Sequence, residues 1–263
     1  MNFQDKLDKA VSKNNSLLCV GLDPDPTKLK KGQSQFEFNK NIIDQTAGLV
    51  CCFKPQIAFY AAAGIEGLED LGKTIEYIHE NYQDVPVLLD AKRGDVGRTS
   101  EMYVKEVFDF LKADAVTVNP YLGEDSLEPF LKRRDKGIVV LCRTSNPSAV
   151  DFQDLKSDGE TLYIKVAEKV VDWDKKYRNI LMVVGATFPA EMKKVREIAP
   201  QMTFLVPGVG PQSGDLDNTL KNGLRKDGRG LIISSSRGII YAQDLKLAAQ
   251  QLKDEINKYR YDS

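Results

Sequence analysis

The segment Val85-Pro-Val-Leu-Leu-Asp-Ala-Lys-Arg-Gly-Asp-Val-Gly97 changes from apolar to charged halfway along its length. It begins as an apolar run that is typical of a buried strand. Asp90 and Lys92 follow, and in an extended chain residues two apart point to the same side. Asp95 comes after Gly94 and is predicted to lie in the next loop. Because charges at the end of a buried strand are costly unless they are paired or used, the segment indicates either a salt-bridge network or an active site.

Apolar runs of the same kind recur along the whole chain, and each is followed by a segment with helical periodicity. The predicted strands are 16–23, 50–55, the first part of 85–97, 115–120, 137–145, 180–187, 203–210 and 230–238. The predicted helices are 2–14, 36–48, 65–81, 98–112, 126–134, one that ends near 176 after a polar loop at 146–159, 189–198 and 242–259. Strands buried on both faces have continuous apolar runs like these, and strict strand–helix alternation predicts a parallel sheet.

Eight such units in a chain of this length are the pattern of a (β/α)₈ barrel. We therefore predict an α/β protein, with residues 1–263 forming a single TIM barrel domain that carries a short N-terminal helix. A doubly wound open sheet is the alternative. It is disfavoured because the first strand is followed by Gly21-Leu-Asp-Pro-Asp-Pro26, which lacks the G-x-G-x-x-G turn of dinucleotide-binding folds.

The composition excludes several classes of protein. The 37 Lys and Arg residues balance the 38 Asp and Glu residues, so no nucleic-acid surface is indicated. No apolar run approaches the roughly 20 residues that cross a membrane, and the first residues do not resemble a signal peptide. Four cysteines lie in apolar runs without metal-ligand spacing, which predicts reduced core thiols in a cytoplasmic protein. They are Cys19, Cys51, Cys52 and Cys142.

Acid–base chemistry in this chain is expected to depend on carboxylates, lysines or hydroxyls. The single histidine, His79, lies in a predicted helix, where we interpret it as an incidental surface residue. A Ser-His-Asp or Cys-His site is therefore not expected.

A barrel brings the carboxyl ends of its strands together at one mouth, which is where function gathers in this fold. Polar residues occur at the ends of nearly all the predicted strands. They are Asp23, Lys54, Asp90, Lys92, Asn119, Thr144, Ser145, Gln212 and Arg237. A surface salt-bridge network would not produce such a ring, so the ring favours an active site.

The chain contains two candidate phosphate-binding motifs. Residues 67–74 match the G-x-x-x-x-G-K-[ST] pattern, but they lie inside a predicted helix in which Leu68 and Leu71 face the core. We interpret this match as a coincidence. The better candidate combines 207–214 and 234–238, because the loops after strands seven and eight form the usual phosphate site of barrels. Turn glycines beside a surface arginine are the alternative explanation. If phosphate binds there, the polar stretch 211–228 is a candidate mobile lid.

At this point the sequence resembles a known family. Asp90-Ala-Lys92-Arg-Gly-Asp95 is similar to the D-x-K-x-x-D motif of the orotidine 5′-phosphate decarboxylases, and further blocks match along the chain. These blocks are Asp23, Lys54-Pro-Gln56, Arg143-Thr-Ser-Asn146, Val184-Gly-Ala-Thr187, Pro207-Gly-Val-Gly210 with Gln212, and Arg237-Gly238. The wording of the second and fourth blocks resembles the longer, second subgroup of the family.

The resemblance implies a cofactor-free and metal-free enzyme that converts orotidine 5′-phosphate to UMP, the last step of de novo UMP synthesis. Lys54, Asp90, Lys92 and Asp95 would form a charged array in which Lys92 protonates C6 of the pyrimidine after CO₂ leaves. The residue chemistry agrees, because a carbanion without an electron sink needs a preorganised cation beside it. A lysine held between Asp90 and Asp95 would stay protonated.

The resemblance also implies a homodimer, in which Asp95 and Thr99 reach into the neighbouring subunit's site. The substrate-binding residues that it implies lie at the ends of several strands. Asp23 and Lys54 would hold the ribose hydroxyls, Ser145 would read the pyrimidine edge, and Gln212, Arg237 and Gly238 would hold the 5′-phosphate.

Two alternatives stay open at the level of sequence. The D-x-K-x-x-D motif is shared by Mg²⁺-dependent sugar-phosphate decarboxylases and aldolases of the same superfamily. A barrel that binds a phosphorylated ligand without catalysis is the other alternative, although binding alone does not require an Asp-Lys-Asp array.

Overall fold

Parallel strands alternate with helices along the chain, as the sequence predicts. The computed structural model describes residues 1–209 and 216–260, in which eight strands form one sheet. They are β1 (Leu18–Leu22), β2 (Cys52–Pro55), β3 (Leu88–Arg93), β4 (Ala115–Val118), β5 (Gly137–Arg143), β6 (Ile180–Val184), β7 (Phe204–Pro207) and β8 (Leu231–Ser235). Each strand pairs in parallel with its neighbours in sequence, except that β2 and β3 form the two ends of the sheet, and β8 pairs with β1.

The barrel closes between β2 and β3, where two isolated parallel bridges join Phe53 to Val87 and Gln56 to Asp90. The (β/α)₈ barrel is therefore confirmed. The helices surround the sheet. They are Phe3–Asn14, Gln35–Thr46, Ile57–Ala61, Gly64–Asn81, Gly97–Val104 (continued by a π-helical turn, Lys105–Phe110), Glu124–Leu131, Val150–Gln153, Leu162–Tyr177, Pro189–Ile198, Leu216–Gly223, Arg237–Ile240 and Leu245–Lys258. None of the described helices is both long and apolar enough to cross a membrane.

The N-terminal helix closes the end of the barrel opposite the mouth. Phe3 lies against Gly137 so closely that a Cβ on that glycine would be 2.4 Å from the ring. Asp114 holds the same end together, because its carboxylate accepts hydrogen bonds from Lys6 Nζ (2.9 Å) and the Val87 backbone (2.8 Å). His79 Nε2 is 3.1 Å from the same carboxylate. The prediction of an incidental surface histidine was wrong, since His79 is part of this half-buried cluster.

The helix Gly64–Asn81 contains the G-x-x-x-x-G-K-[ST] match, so rejecting that match as a phosphate loop was correct. Leu71 is fully buried as predicted, but Ile65 and Leu68 are exposed. Gly67 and Asp70 occupy the buried face instead, because the Tyr60 backbone approaches Gly67 too closely for any side chain. A pattern based on hydrophobicity assigns the buried stripe to the leucines and overlooks this packing.

Two predicted loops contain regular structure. Residues 146–159 include a 3₁₀ turn, the helix Val150–Gln153 and the first part of a two-stranded hairpin (Lys156–Ser157 with Glu160–Thr161). The candidate lid at 211–228 includes the helix Leu216–Gly223, whose Leu220 is fully buried. Residues 211–215 lie outside the described residues, and the mobile lid at 211–228 stays a prediction.

Arg196 connects four elements beneath β7 and β8. Its guanidinium stacks on Phe204 at 3.7 Å and donates to the carbonyls of Gly223, Ala199, Met202 and Gly230. Because Arg196→Met removes four charge-assisted hydrogen bonds and leaves the carbonyls of Gly223 and Met202 without this donor, we expect it to lower the free energy of unfolding by about 3 to 5 kcal/mol, measured by urea denaturation. Lys194→Met, an exposed change on the same helix, is the control. An equal effect of both variants would contradict the prediction.

Candidate active site

Three charged side chains meet where β2 and β3 end at the mouth of the barrel. The Asp90 carboxylate is central, with Oδ1 at 2.7 Å from Lys92 Nζ and Oδ2 at 3.3 Å from Lys54 Nζ. Burial alone would raise the pKa of Asp90, but the charges of both lysines and the hydrogen bonds that it accepts lower this pKa to about 2. Asp90 is therefore ionised at neutral pH, and one buried carboxylate is shared by two ammonium groups.

The two lysines of this cluster differ in their exposure. Lys54 is buried, and burial opposes its charge, yet the carboxylates of Asp23 and Asp90 raise its pKa above the usual value. Lys92 has a side chain that is 48% exposed. Lys54 is thus a fixed internal cation, whereas the ammonium of Lys92 faces the open mouth, where it can contact a ligand and exchange protons with solvent.

The backbone that carries Lys92 is not an extended strand. Lys92 has a φ of +46°, in the left-handed region, and the pairing of β3 with β4 shifts between Leu89 and Arg93. The prediction that Asp90 and Lys92 share one side of an extended strand gave the right contact for the wrong reason. A bulge brings them together, and bulges of this kind commonly redirect side chains next to active sites.

Asp95 does not complete an ion pair with Lys92 in its own chain. Within the described residues no oxygen of Asp95 lies within 4 Å of a lysine or arginine nitrogen, and its Oδ1 accepts the Val96 backbone N–H at 2.8 Å. The expectation that Lys92 is fixed between Asp90 and Asp95 was therefore wrong for a single chain. Asp95 is half-buried and Thr99 is exposed, so both side chains lie at the surface beyond the cluster.

Asp23 follows β1 and lies on the side of the mouth next to β8. Its Oδ1 is buried and has no hydrogen-bond partner in the described parts of the chain, and the same is true of Ser236 Oγ. The two residues are neighbours, because a Cβ placed on Gly21 would be 3.1 Å from both Asp23 Oδ2 and Ser236 Oγ. The sequence did not single out Ser236, which is one of three successive serines after an apolar run.

Ser145 is held at the ends of β5 and β6. Its carbonyl accepts a hydrogen bond from Thr187 Oγ1 at 3.3 Å, and its backbone packs so closely on Gly185 that no side chain would fit there. A Cβ placed on Gly208, after β7, would be 3.6 Å from Ser145 Oγ. The Ser145 side chain therefore lies beside the start of the predicted phosphate loop.

A fully buried cation, Arg143, precedes this region. Its guanidinium is 4.0 Å from the Phe188 ring and donates to the side chains of Gln153 and Asp154. Gln153 also bonds to both the backbone and the hydroxyl of Thr144. The backbone and the hydroxyl of Thr144 are thus both hydrogen-bonded to Gln153. Arg143, through Gln153 and Asp154, fixes the helix Val150–Gln153 beside the mouth.

The predicted phosphate residues are described only in part. Arg237 and Gly238 begin the short helix after β8 and are both exposed. Among residues 1–209 and 216–260, the Arg237 side chain has neither a hydrogen bond nor an ion pair, so it is available to an anion. Gln212 lies outside the described residues.

Asn119, another of the polar residues predicted at the strand ends, follows β4. It accepts the backbone N–H of Tyr121 at 3.0 Å and caps a 3₁₀ turn, which is a structural contact.

The fold and this site together define the chain as a barrel enzyme with a charged Lys–Asp–Lys cluster at its mouth. Residues 16–252 match the model of the orotidine 5′-phosphate decarboxylase / HUMPS family. The chain belongs to this family.

Named relatives match over the full length. The chain is 50% identical to the orotidine 5′-phosphate decarboxylase of Dechloromonas aromatica and 49% identical to that of Ralstonia pickettii, in each case over 99% of this chain and 100% of the relative. Among solved structures, Leishmania donovani OMP decarboxylase superposes with a TM-score of 0.91 at 39% identity and full coverage of both chains. The predicted resemblance is therefore confirmed.

Proposed function

We propose that this chain decarboxylates orotidine 5′-phosphate to UMP without a cofactor or a metal. The observation that carries the proposal is the Lys54–Asp90–Lys92 cluster, which provides one exposed ammonium group, Lys92, beside a carboxylate that is fixed in its ionised form. Full-length similarity to decarboxylases of that name supports the same substrate.

In the proposed reaction the bond between pyrimidine C6 and the carboxylate breaks, CO₂ leaves, and the electron pair stays on C6. The ammonium group of Lys92 stabilises this charge and then transfers a proton from Nζ to C6. The neutral amine regains its proton from solvent, because its side chain is half exposed. Asp90 and Lys54 stay charged throughout and hold Lys92 in place.

Substrate binding is proposed to follow the strand ends. Asp23 and Lys54 hold the ribose hydroxyls, and the unpartnered Oδ1 of Asp23 supports this role because it needs a donor. Ser145 reads the pyrimidine edge. Arg237, Gly238 and Gln212 hold the 5′-phosphate, and remote phosphate contacts supply binding energy that organises the site.

We also propose that the active form is a homodimer in which Asp95 and Thr99 reach into the neighbouring site. Among the described residues Asp95 makes no ion pair with its own Lys92, and large apolar side chains are exposed beside it and at the end of the adjacent β4. They are Val96, Met102, Tyr121 and Leu122. Exposed apolar patches of this kind mark protein–protein contacts. Residues 1–263 are proposed to act as one barrel unit in the cytoplasm, which fits four buried, unpaired cysteines.

The proposal is tested by the loss of orotate absorbance when the purified protein is mixed with orotidine 5′-phosphate, with and without excess chelator. We expect rapid turnover that the chelator does not change. Turnover that the chelator stops, or turnover of sugar phosphates with Mg²⁺ in place of the nucleotide, would instead support the related metal-dependent enzymes. Binding without turnover of any of these substrates would support a non-catalytic barrel.

A further inference from the structure

The bulge in β3 faces a single residue of the neighbouring strand. β3 and β4 pair Leu89 with Val116 and then Arg93 with Val118. Three residues of β3, numbers 90–92, are therefore matched by one residue of β4, Thr117. The bulge contains Asp90 and Lys92, two of the three charged residues of the cluster, and Thr117 is fully buried against it.

The Thr117 hydroxyl makes every hydrogen bond that a hydroxyl can make. Its Oγ1 accepts the backbone N–H groups of Ala91 at 3.0 Å and Lys92 at 2.9 Å, and it donates to Asp90 Oδ1 at 2.8 Å. A hydroxyl has one proton and two lone pairs. Because both lone pairs are used by N–H donors, the proton has one direction left, toward the carboxylate of Asp90.

We propose that Thr117 is a positioning residue for the decarboxylation, which sets both the carboxylate of Asp90 and the backbone turn that aims Lys92 into the mouth. This inference rests on the proposed function of the cluster. The Thr117 hydroxyl holds the left-handed backbone at Lys92, a conformation that is uncommon for residues other than glycine. The same hydroxyl donates to the oxygen of Asp90 that Lys92 Nζ contacts at 2.7 Å.

These contacts give Thr117 two separate effects on the cluster. The first is geometric, because the backbone N–H of Lys92 and the carboxylate that binds its ammonium are anchored to one atom. The second is electrostatic, because a proton that points at Asp90 favours the ionised carboxylate. Both effects act through Asp90 and Lys92, since Thr117 is buried and its hydroxyl bonds to residues of the bulge.

Removing the hydroxyl from side chains of two different volumes separates this role from simple packing. Thr117→Val removes the hydroxyl at constant volume, and the pair Thr117→Ser and Thr117→Ala differs by the hydroxyl alone. The matched control is Thr46→Val, which deletes another buried threonine hydroxyl, one that bonds to the Ile42 carbonyl far from the mouth. All variants are compared as full chains for kcat, KM and thermal unfolding.

We expect Thr117→Val to lower kcat by about 10²-fold with a much smaller change in KM, since small displacements of reacting groups have effects of this size. Thr117→Ser should stay within about fivefold of the parent, because it keeps the hydroxyl. Thr117→Ala should resemble Thr117→Val, and Thr46→Val should unfold earlier without losing activity. Equal losses in the serine and alanine variants, or near-normal kcat in the valine variant, would overturn the proposal.

The pH dependence of kcat/KM tests the electrostatic effect of Thr117 on Asp90. Without the hydroxyl donor the pKa of Asp90 rises, so the acidic limb of kcat/KM should move to higher pH in the valine and alanine variants and stay in place in the serine variant. A residue that only stabilises the fold would lower activity without moving this limb. An unmoved limb in both hydroxyl-deletion variants would contradict this role.

Crystal structures of the valine and serine variants test the geometry without any turnover. We expect the positive φ of Lys92 and its contact with Asp90 to persist in Thr117→Ser and to be lost in Thr117→Val. An unchanged bulge in the valine variant would overturn the proposal even if the enzyme is active. Failure of the parent protein to consume orotidine 5′-phosphate would count against the proposed function, and the structures would still decide the role of Thr117.

Discussion

Replacement of Lys92 with alanine is expected to lower kcat for orotidine 5′-phosphate by about 10⁵-fold, because the proton donor and the cation beside the reacting carbon are lost together. General acids contribute roughly 10²–10⁴-fold and a preorganised charge roughly 10²–10³-fold. In Lys92→Ala both contributions disappear, while Asp90 keeps its contacts with Lys54 and Thr117. The fold should therefore survive, and single-turnover absorbance measurements should detect the residual rate.

Two further variants separate charge from proton transfer. Lys92→Arg keeps a cation near Asp90 but gives up its proton far less readily, so we expect it to recover substrate binding more than turnover. Lys132→Ala removes an exposed lysine paired with Glu128 and should leave kcat unchanged. If Lys92→Ala turned over within about tenfold of the parent, the assignment of Lys92 as the proton donor would be wrong.

The sequence predicted the barrel because the strand–helix pattern of this fold is local and repeats along the chain. Each strand is a short apolar run, and polar residues such as Asp23, Lys54 and Asp90 follow directly where the runs end. Alternation with helices then determines that these ends meet at one mouth. The contact between Asp90 and Lys92 was predicted because the two residues are only two positions apart, although a bulge and not an extended strand brings them together.

The details that could not be predicted depend on register between strands. The left-handed backbone at Lys92 exists because three residues of β3 are matched by one of β4, and nothing within residues 85–97 specifies that pairing. Thr117 was read as part of an apolar strand, although a hydroxyl in the run Ala115-Val-Thr-Val118 was a signal that could have been followed.

The packing of the outer helices was predicted incorrectly for a related reason. Ile65 and Leu68 fit a helical apolar stripe, but the close approach of the Tyr60 backbone gives the buried position to Gly67. The contact of His79 was not predicted because its partner, Asp114, is 35 residues away. Hydrophobic periodicity describes one helix at a time, and it carries no information about which neighbour that helix meets.

The second large effect is expected for Asp95, whose role is proposed to lie in the partner's site. Asp95→Asn should lower kcat by about 10³-fold, since it removes a charge beside the reacting groups of a neighbouring chain. In a homodimer each site would then combine Lys92 of one subunit with Asp95 of the other. An Asp95→Asn chain and a Lys92→Ala chain, both nearly inactive alone, should complement each other when they are paired.

The experiment is to co-express the two variants with different affinity tags and to purify the mixed dimer. One of its two sites contains both intact residues and the other contains neither, so we expect about half of the parent activity. The matched control pairs Lys92→Ala with Asp90→Asn. Lys92 and Asp90 contact each other at 2.7 Å within one chain, so each site of that dimer stays defective and no activity returns.

The outcomes discriminate because the two pairings differ in one respect, whether the second residue acts within its own chain or across the interface. Recovery with Asp95→Asn and none with Asp90→Asn requires that Asp95 serve its partner. An inactive mixed dimer in both cases would mean that Asp95 serves the site of its own chain, although it forms no ion pair with Lys92 among the described residues. Failure to isolate any mixed dimer would contradict the proposed homodimer. The exposed apolar side chains around Asp95 would then need another explanation.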